Sequence, residues 1–222
     1  MGLKRLYLIA YNLFQFLANI TVVGTILLVN RGSLVPVRGT FGAAAVVLRS
    51  ALIGQWLEIL HSVLRLSKGS PVASLIQVGF KSVVFFLFLE NEAADDAVRE
   101  SPAATYLLLV WSLADAIRYP FYLQTILQLH VYPITWLRHS AWIILYPMGI
   151  TLEAVLVYRS IPHIRATGRL SVLMPNPMNM AIDPIPLIQS YLYFGVVIGS
   201  YTMLTYMWGQ RKKALSPDKK RD

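Results

Sequence analysis

Long apolar runs alternate with short polar connections along the whole chain. Each run is close to the ~20 residues that an α-helix needs to cross a bilayer. The runs lie at about residues 6–29, 41–64, 72–90, 104–128, 134–158 and 185–208, and a basic tail follows at 209–222. This pattern predicts an all-α fold, in which a single domain over 1–222 is a polytopic, six-helix transmembrane bundle.

Charged residues between the runs predict how this bundle is oriented. The connection at 90–101 is mostly acidic, whereas the C-terminal tail is rich in Lys and Arg. Because Lys and Arg favour the cytosolic side, we expect a cytosolic tail and, with six crossings, a cytosolic N-terminus. Arg159, Arg165 and Arg169 in the fifth connection argue the other way, unless this proline-rich connection folds back on the membrane surface.

Composition supports a membrane protein and excludes several classes of function. The chain is 56% hydrophobic and 14% charged, against about a quarter charged in soluble domains. Its net charge of +9 does not indicate nucleic-acid binding, since the basic residues lie at the chain ends and in connections, not among exposed aromatics. The absence of cysteine excludes disulfides, thiolate metal sites and cysteine nucleophiles.

The C-terminus carries a candidate localisation signal. Its last four residues, Lys219-Lys220-Arg221-Asp222, resemble the dilysine retrieval signal of endoplasmic reticulum membrane proteins. The alternative is a solvated basic tail. We favour the signal because the predicted topology places the tail in the cytosol, and we therefore expect an endoplasmic reticulum membrane location.

Two apolar runs carry polar side chains on one helical face. In the second run Gln55, Glu58 and His61 recur every three residues, and in the third Gln77 and Lys81 are four apart. Ionisable groups at membrane depth are functional candidates, although they also form structural pairs between helices. For the second run a packed polar seam and an active-site wall both remain open.

The fourth run has a similar face, made by Asp115, Arg118, Tyr119 and Tyr122. Asp115 and Arg118 can neutralise each other, which explains how both are tolerated at membrane depth. The pair is either purely structural or a place where the guanidinium polarises a carbonyl or holds an anionic group.

The fifth run contains Tyr146, Pro147, Gly149 and Glu153. Tyr146 and Glu153 share a face and lie roughly 10 Å apart along the axis at 1.5 Å per residue. Pro147 removes a helix hydrogen bond and Gly149 leaves space, so we expect a local bend, which is tolerated at membrane depth where it lines a cavity. The alternative is a kinked helix whose polar groups bond to neighbouring helices.

The string Tyr146-Pro147-x-Gly149-x-x-x-Glu153 resembles the signature of the very-long-chain (3R)-3-hydroxyacyl-CoA dehydratases, endoplasmic reticulum membrane enzymes once named protein tyrosine phosphatase-like. Other blocks resemble the family in the same order, so that the resemblance covers most of the chain. These blocks are Leu57-Glu58-x-x-His61 with Ser70-Pro71, Gln77-Val78, Trp111-Ser112 with Ile117-Arg118-Tyr119 and Phe121-Tyr122, and Tyr206-Met207 with Gln210-Arg211-Lys212-Lys213.

The resemblance implies six spans, cytosolic termini and a catalytic pair that falls on Tyr146 and Glu153. The implied reaction converts long- and very-long-chain (3R)-3-hydroxyacyl-CoA to trans-2-enoyl-CoA, the third step of microsomal fatty-acid elongation. Supporting or substrate-binding roles are expected for Glu58, His61, Gln77, Lys81, Asp115, Arg118, Tyr119 and Gly149. The family usually has glutamate in place of Asp115 and arginine in place of Lys81, so that the charge is kept at both positions while the reach and the bidentate bonding differ.

Acid–base chemistry by two side chains meets the needs of this reaction, so we expect no metal and no cofactor beyond the substrate's own coenzyme A. Glu153 as base and Tyr146 as proton donor is the preferred assignment, with the reverse also open. Lys68, Arg138 and His139 are candidates for the CoA phosphates. Expected partners are acyl-CoA, membrane lipids and other elongation enzymes, with no nucleic acid. A non-catalytic scaffold and, less favoured, a small transporter are the competing functions.

Overall fold

A computed structural model describes residues 2–33, 35–67, 70–90, 95–172, 174–175, 177 and 179–215, without the side chain of Ala73. Nearly all of the described structure is helical. In chain order the helices are α1 (Leu3–Val29), α2 (Thr40–Val63), α3 (Pro71–Val83), which continues as a π-helical segment, π1 (Val84–Leu89), α4 (Asp96–Arg99), α5 (Pro102–Leu127), α6 (Tyr132–Ser140), α7 (Trp142–Thr167), α8 (Pro184–Ser190), a second π-helical segment, π2 (Tyr191–Gly195), and α9 (Val196–Leu215).

Residues with known start and stop preferences set several of these bounds. Pro102 and Pro184 occupy the first turns of α5 and α8, where a missing N–H costs nothing. The side chain of Asp183 accepts a hydrogen bond from Ile185 N at 2.9 Å and caps α8. Gly168, with φ of 65°, ends α7 in the left-handed conformation that glycine adopts most easily.

Each predicted run coincides with a helical stretch, so the all-α prediction is confirmed for the described residues. Within the described part of the chain, four helical stretches can cross a membrane by length and composition: Leu3–Val29, Thr40–Val63, Tyr132–Thr167 and Pro184–Leu215. Ser74–Leu89 is a shorter apolar helix, and α5 carries Asp115 and Arg118 in its middle. Six crossings and the side on which the termini lie therefore remain predictions.

Side-chain contacts show that consecutive stretches run in opposite directions. Tyr7, near the start of α1, is hydrogen-bonded to His61 at the end of α2, with 2.8 Å between Oη and Nε2. At the other end of the bundle, Gly39 N donates to Glu100 Oε2 at 2.8 Å. We call the end of the bundle with Tyr7 and His61 the basic end, because it also holds Arg138 and Arg211. The end with Gly39 and Glu100 is called the loop end.

The helix α5 lies at the centre of the bundle and packs against α1, α2, α6 and α7. Apolar side chains with almost no exposed surface fill the space around it, including Val22, Leu48, Leu52, Phe85 and Leu107. Ala44, Ala45 and Ala51 on α2 are also buried, and small residues of this kind let membrane helices approach closely. Close packing around α5 is what brings its polar residues against the neighbouring helices.

Pro147 does not interrupt its helix, and the local bend expected at this position stays a prediction. α7 runs without interruption from Trp142 to Thr167, and the boundary with α6 falls at Ala141. Pro147 lies in the second turn of α7, so its missing N–H affects only the carbonyl of Ile143, next to the start of the helix. Irregular helical backbone occurs in the two π-helical segments, and such segments often occur at functional sites.

Candidate active site

A cavity of about 220 Å³ lies between α3, α5, the α6–α7 stretch and the π2–α9 stretch. It collects most of the predicted site residues, although these come from three separate apolar runs. Those that line it are Gln77, Lys81, Asp115, Arg118, Tyr146, Gly149 and Glu153. The shared helical faces inferred from spacing in the third, fourth and fifth runs therefore meet at one place.

Glu153 is held by a tryptophan across the cavity wall. Trp111 Nε1 donates to Glu153 Oε1 at 2.8 Å, which fixes one carboxylate oxygen. Tyr146 lines the same cavity two turns nearer the basic end, roughly 10 Å along the helix axis. Both groups therefore line one cavity, and a small reacting group between the phenol and the carboxylate stays a prediction.

Lys81 and Asp115 form a buried ion pair beside this carboxylate. Lys81 Nζ donates to Asp115 Oδ2 at 2.9 Å, and their side chains are 10% and 1% exposed. Gln55 Nε2 donates to the same oxygen at 2.6 Å. The Lys81 ammonium also lies 5.8 Å from the centre of the Trp111 ring. The pair thus connects α3 to α5 and places a cation next to the indole that holds Glu153.

Arg118 connects the cavity to a polar seam behind it. Its Nη2 lies 3.3 Å from Asp115 Oδ1, as expected from their spacing, but the same nitrogen donates to Glu58 Oε1 at 2.9 Å and to Tyr119 Oη at 2.8 Å. Tyr119 Oη in turn donates to Glu58 at 2.5 Å. Two carboxylates, on α2 and α5, therefore compensate this guanidinium.

Glu58, His61 and Tyr119 are not among the residues that line the cavity in the described structure. The face of α2 that carries Glu58 and His61 packs against two helices. Glu58 accepts a hydrogen bond from Arg118 on α5, whereas His61 meets Tyr7 on α1 and packs edge-on against Tyr11, 4.7 Å between ring centres. Of the two possibilities for this face, the geometry supports the polar seam. A supporting role for Glu58 then acts through Arg118 and not by contact with a substrate.

Glycines leave open space on two walls of the cavity. A Cβ added to Gly149 would lie 3.5 Å from Val110, at ordinary contact distance, so the site tolerates a small side chain there. A Cβ added to Gly199 on α9 would meet no atom within 4 Å. Gly149 also lies inside a continuous helix, where its amide bonds to the preceding turn, and this argues against the amide as an oxyanion donor.

Basic residues surround the cavity where it approaches the basic end. Arg138 lines it, and the neighbouring Arg211 Nε donates to Ser140 Oγ at 3.3 Å. A second, smaller cavity of about 140 Å³ is lined by Trp208, Arg211, Lys212 and Leu215. Trp142 of the first cavity packs edge-on against Trp208 of the second, 6.3 Å between ring centres. Lys68 and the tail at 219–222 lie outside the described residues.

Several contributors to the site do not stand out in the sequence. In the sequence Trp111 is an aromatic residue within an apolar run, and nothing marks it as a hydrogen-bond donor to Glu153. Its position four residues before Asp115 does put both residues on one face of α5. Tyr191, which lines the cavity from π2, lies in a run that contains no Asp, Glu, His, Lys or Arg. Within the described ranges, no group of three His, Asp or Glu side chains is arranged to hold a metal ion.

Comparisons with known proteins cover nearly the whole chain. A family model described as "Protein tyrosine phosphatase-like protein, PTPLA" matches residues 53–217. The chain is 32% identical, over 99% of its length, to a Gallus gallus protein named very-long-chain (3R)-3-hydroxyacyl-CoA dehydratase. It is 32% identical, over 98% of its length, to the Arabidopsis thaliana protein named very-long-chain (3R)-3-hydroxyacyl-CoA dehydratase PASTICCINO 2. It is 29% identical, over 99% of its length, to the Homo sapiens protein named very-long-chain (3R)-3-hydroxyacyl-CoA dehydratase 3. The chain spans 60% of the length of the chicken and human proteins and 96% of the Arabidopsis protein. No solved structure matches it.

Proposed function

The chain belongs to the protein tyrosine phosphatase-like family, PTPLA, as its motifs predicted, and from this premise we propose that it is a hydro-lyase. The proposed reaction removes water from a long- or very-long-chain (3R)-3-hydroxyacyl-CoA and yields the trans-2-enoyl-CoA. The observation that carries the proposal is the Glu153 carboxylate, fixed by Trp111 inside a cavity that Tyr146 also lines.

Two proton transfers complete the chemistry. The Glu153 oxygen that Trp111 leaves unbound takes a proton from C2, and the C–H electrons pass into the thioester as an enolate. Those electrons return to form the C2–C3 double bond as the C3–O bond breaks, and Tyr146 donates its phenolic proton so that water leaves. Placing both groups on one rigid helix fixes the spacing that the two transfers require.

Buried cations supply the electrostatic stabilisation that an enolate needs. Lys81 and Arg118 line the cavity beside Glu153, and Asp115 contacts both of them. Before substrate binds, the carboxylates of Asp115 and Glu58 lower the free-energy cost of holding these two cations at membrane depth. Gln77, on the Lys81 face of α3, adds an amide donor toward the thioester carbonyl.

The CoA end of the substrate would bind at the basic end. Phosphate groups pair with Arg and Lys side chains, and Arg138, His139, Arg211 and Lys212 surround the approach to the cavity there. The indole of Trp208 offers a stacking surface for the adenine beside these charges. With cytosolic termini, this end would face cytosolic acyl-CoA, in agreement with an endoplasmic reticulum enzyme of the elongation cycle that works with the other elongation enzymes.

Turnover by the purified protein tests the proposal. A long-chain (3R)-3-hydroxyacyl-CoA should give enoyl-CoA, measured by mass spectrometry. Tyr146→Phe removes the phenolic proton donor, and Glu153→Gln removes the carboxylate that accepts the C2 proton. Each substitution should therefore abolish the reaction. Tyr158→Phe is the matched control, since Tyr158 lies on the same helix but 64% exposed, and it should leave turnover unchanged.

The competing scaffold function makes the opposite prediction. A scaffold that only assembles elongation enzymes would show no turnover with any chain length, although it inserts and folds normally. Near-normal activity of Tyr146→Phe or Glu153→Gln would remove that residue from the chemistry but leave the reaction in place.

A further inference from the structure

The cavity is too small for the whole of the substrate's acyl chain. An apolar cavity of about 150 Å³ holds one benzene, which has six carbons. On that scale the 220 Å³ cavity holds about nine carbons, including the thioester and the reacting C2 and C3. This inference rests on the proposed function: a long or very long acyl chain must leave the cavity through one of its walls.

Most of the seams between the surrounding helices are closed. α5 packs against α7, and α7 and α6 pack against α9. The gap between α3 and α5 is covered by α2, which packs against both helices. The Lys81–Asp115 ion pair also crosses this gap. By contrast, α3 and the π2–α9 stretch make few contacts with each other.

We call this last gap the lateral seam and define it by Ile76 and Phe80 on α3 and by Tyr191, Gly195 and Gly199 on π2–α9. All five residues line the cavity. Ile76 and Phe80 are 46% and 47% exposed, so the same side chains also face outward from the bundle. Across the seam the rings of Phe80 and Tyr191 stack with 5.7 Å between their centres.

The two sides of the lateral seam differ in a way that suits an extended hydrocarbon. Phe80 and Ile76 form an apolar edge one helical turn apart. Opposite them, Gly195 and Gly199 present no side chain, and a Cβ at Gly199 would still meet nothing within 4 Å. A groove of this shape admits a chain of methylenes without polar contacts.

We propose that the substrate's acyl chain passes sideways through the lateral seam into the surrounding lipid. The catalytic groups then hold only the thioester end, and the hydrocarbon beyond the first several carbons stays in an environment as apolar as itself. Phe80 and Tyr191 are the side chains that must separate to admit it. This arrangement explains how a small cavity handles a very long substrate.

Cross-linking the seam in the cysteine-free chain tests the proposal. Phe80→Cys and Tyr191→Cys are introduced together and joined by a reducible bis-thiosulfonate reagent, with formation of the bridge read by mass spectrometry. Closing the seam should lower kcat/KM for a twenty-carbon 3-hydroxyacyl-CoA at least tenfold relative to an eight-carbon one, and a reductant should restore the ratio. Each single-cysteine variant, treated in the same way, is the control for modification without closure.

A second variant fills the seam without a reagent. Gly199→Phe places a ring in the open space, whereas Gly209→Phe adds the same ring on the same helix at a residue that does not line the cavity and also has nothing within 4 Å. Only Gly199→Phe should lower kcat/KM for the twenty-carbon substrate relative to kcat/KM for the eight-carbon substrate. An unchanged ratio in Gly199→Phe and in the cross-linked protein, or failure of the bridge to form, overturns the proposal. A wild-type chain inactive on both lengths instead refutes the dehydratase function.

Discussion

Trp111 fixes the orientation of Glu153, and its loss should affect the chemical step more than binding. Trp111→Phe keeps an aromatic ring but removes the N–H that reaches Glu153 Oε1 at 2.8 Å. A hydrogen bond to a charged group contributes about 1.5–3 kcal/mol, so kcat should fall about ten- to hundredfold with little change in KM. Steady-state kinetics on the purified protein measures the two separately.

Trp56→Phe is the matched control for that experiment. Trp56 Nε1 also donates a hydrogen bond across a helix pair, to Ser82 Oγ at 3.1 Å, but it does not line the cavity. Equal losses of kcat in the two variants would mean that the indole of Trp111 only supports packing.

The buried pair of Lys81 and Asp115 should dominate the stability of the site. Asp115→Asn leaves Lys81 and Arg118 in the protein interior without their shared counter-charge, and breaking a buried pair in this way costs about 3–5 kcal/mol. Thermal unfolding in detergent should therefore show a large fall in Tm. Asp96→Asn, which disturbs an exposed pair with Arg99, should cost less than about 1 kcal/mol. Similar falls in Tm for Asp115→Asn and Asp96→Asn would show that the buried Lys81–Asp115 pair is already neutral.

The sequence predicted the charged faces of the site but not how they pair. Spacing put Tyr146 and Glu153 on one face, and both line the cavity. Gln55, Glu58 and His61 looked equally suitable, yet none of them lines the cavity. Gln55 and Glu58 bond to α5 and His61 bonds to α1, because the partners of a helical face depend on which helices pack around it. The two departures from the family pattern, Lys81 and Asp115, contact each other in one ion pair, which spacing alone did not reveal.

At the scale of elements, α1 and α2 approach each other through Gly54. A Cβ on Gly54 would lie 2.6 Å from Gln15 Nε2, and the Gln15 side chain is fully buried and bonded to Ala51 O at 3.1 Å. Gly54→Ala should therefore destabilise the protein by about 1–3 kcal/mol through overpacking. Detergent unfolding measures this change.

Gly42→Ala provides the comparison in the same helix. Nothing lies within 4 Å of its added Cβ, so the higher helix propensity of alanine should stabilise the protein by up to about 1 kcal/mol. If Gly54→Ala behaved like Gly42→Ala, the Gln15 amide would have moved aside at no cost, and the close approach of the two helices would not depend on glycine.

Element positions followed from hydropathy, whereas irregularities within them did not. The apolar runs located every long helix, because length and apolarity are local properties. The first four runs match the helix bounds within about three residues, whereas α7 and α9 end at Thr167 and Leu215, beyond the predicted 158 and 208. Pro147 suggested a local bend, and α7 continues through it without interruption, since a proline near the start of a helix disturbs few hydrogen bonds. The π-helical segments, one of which carries Tyr191 into the cavity, depend on tertiary packing and leave no clear pattern in the chain.

For the whole molecule, one loop-end contact favours six membrane crossings over four. If α1 and α2 cross the bilayer, the connection between them lies on the side opposite the N-terminus. Gly39 in that connection is bonded to Glu100, so Glu100 must lie on the same opposite side. We therefore predict one crossing through α3–π1 and one through α5. The polar residues of α5 face the bundle interior, 1% exposed at Asp115 and 4% at Arg118.

Charge alone could not settle the orientation, because Arg31, Arg38 and Arg99 sit at the loop end while Lys4 and Lys213 sit at the basic end. Single cysteines in this cysteine-free chain resolve it in sealed microsomal vesicles with an impermeant maleimide. With six crossings and cytosolic termini, Lys4→Cys and Lys213→Cys should label at once and Asp96→Cys only after detergent. Labelling of all three would indicate four crossings, and labelling of Asp96→Cys alone would indicate the inverted bundle, with the cavity's basic end turned away from cytosolic acyl-CoA.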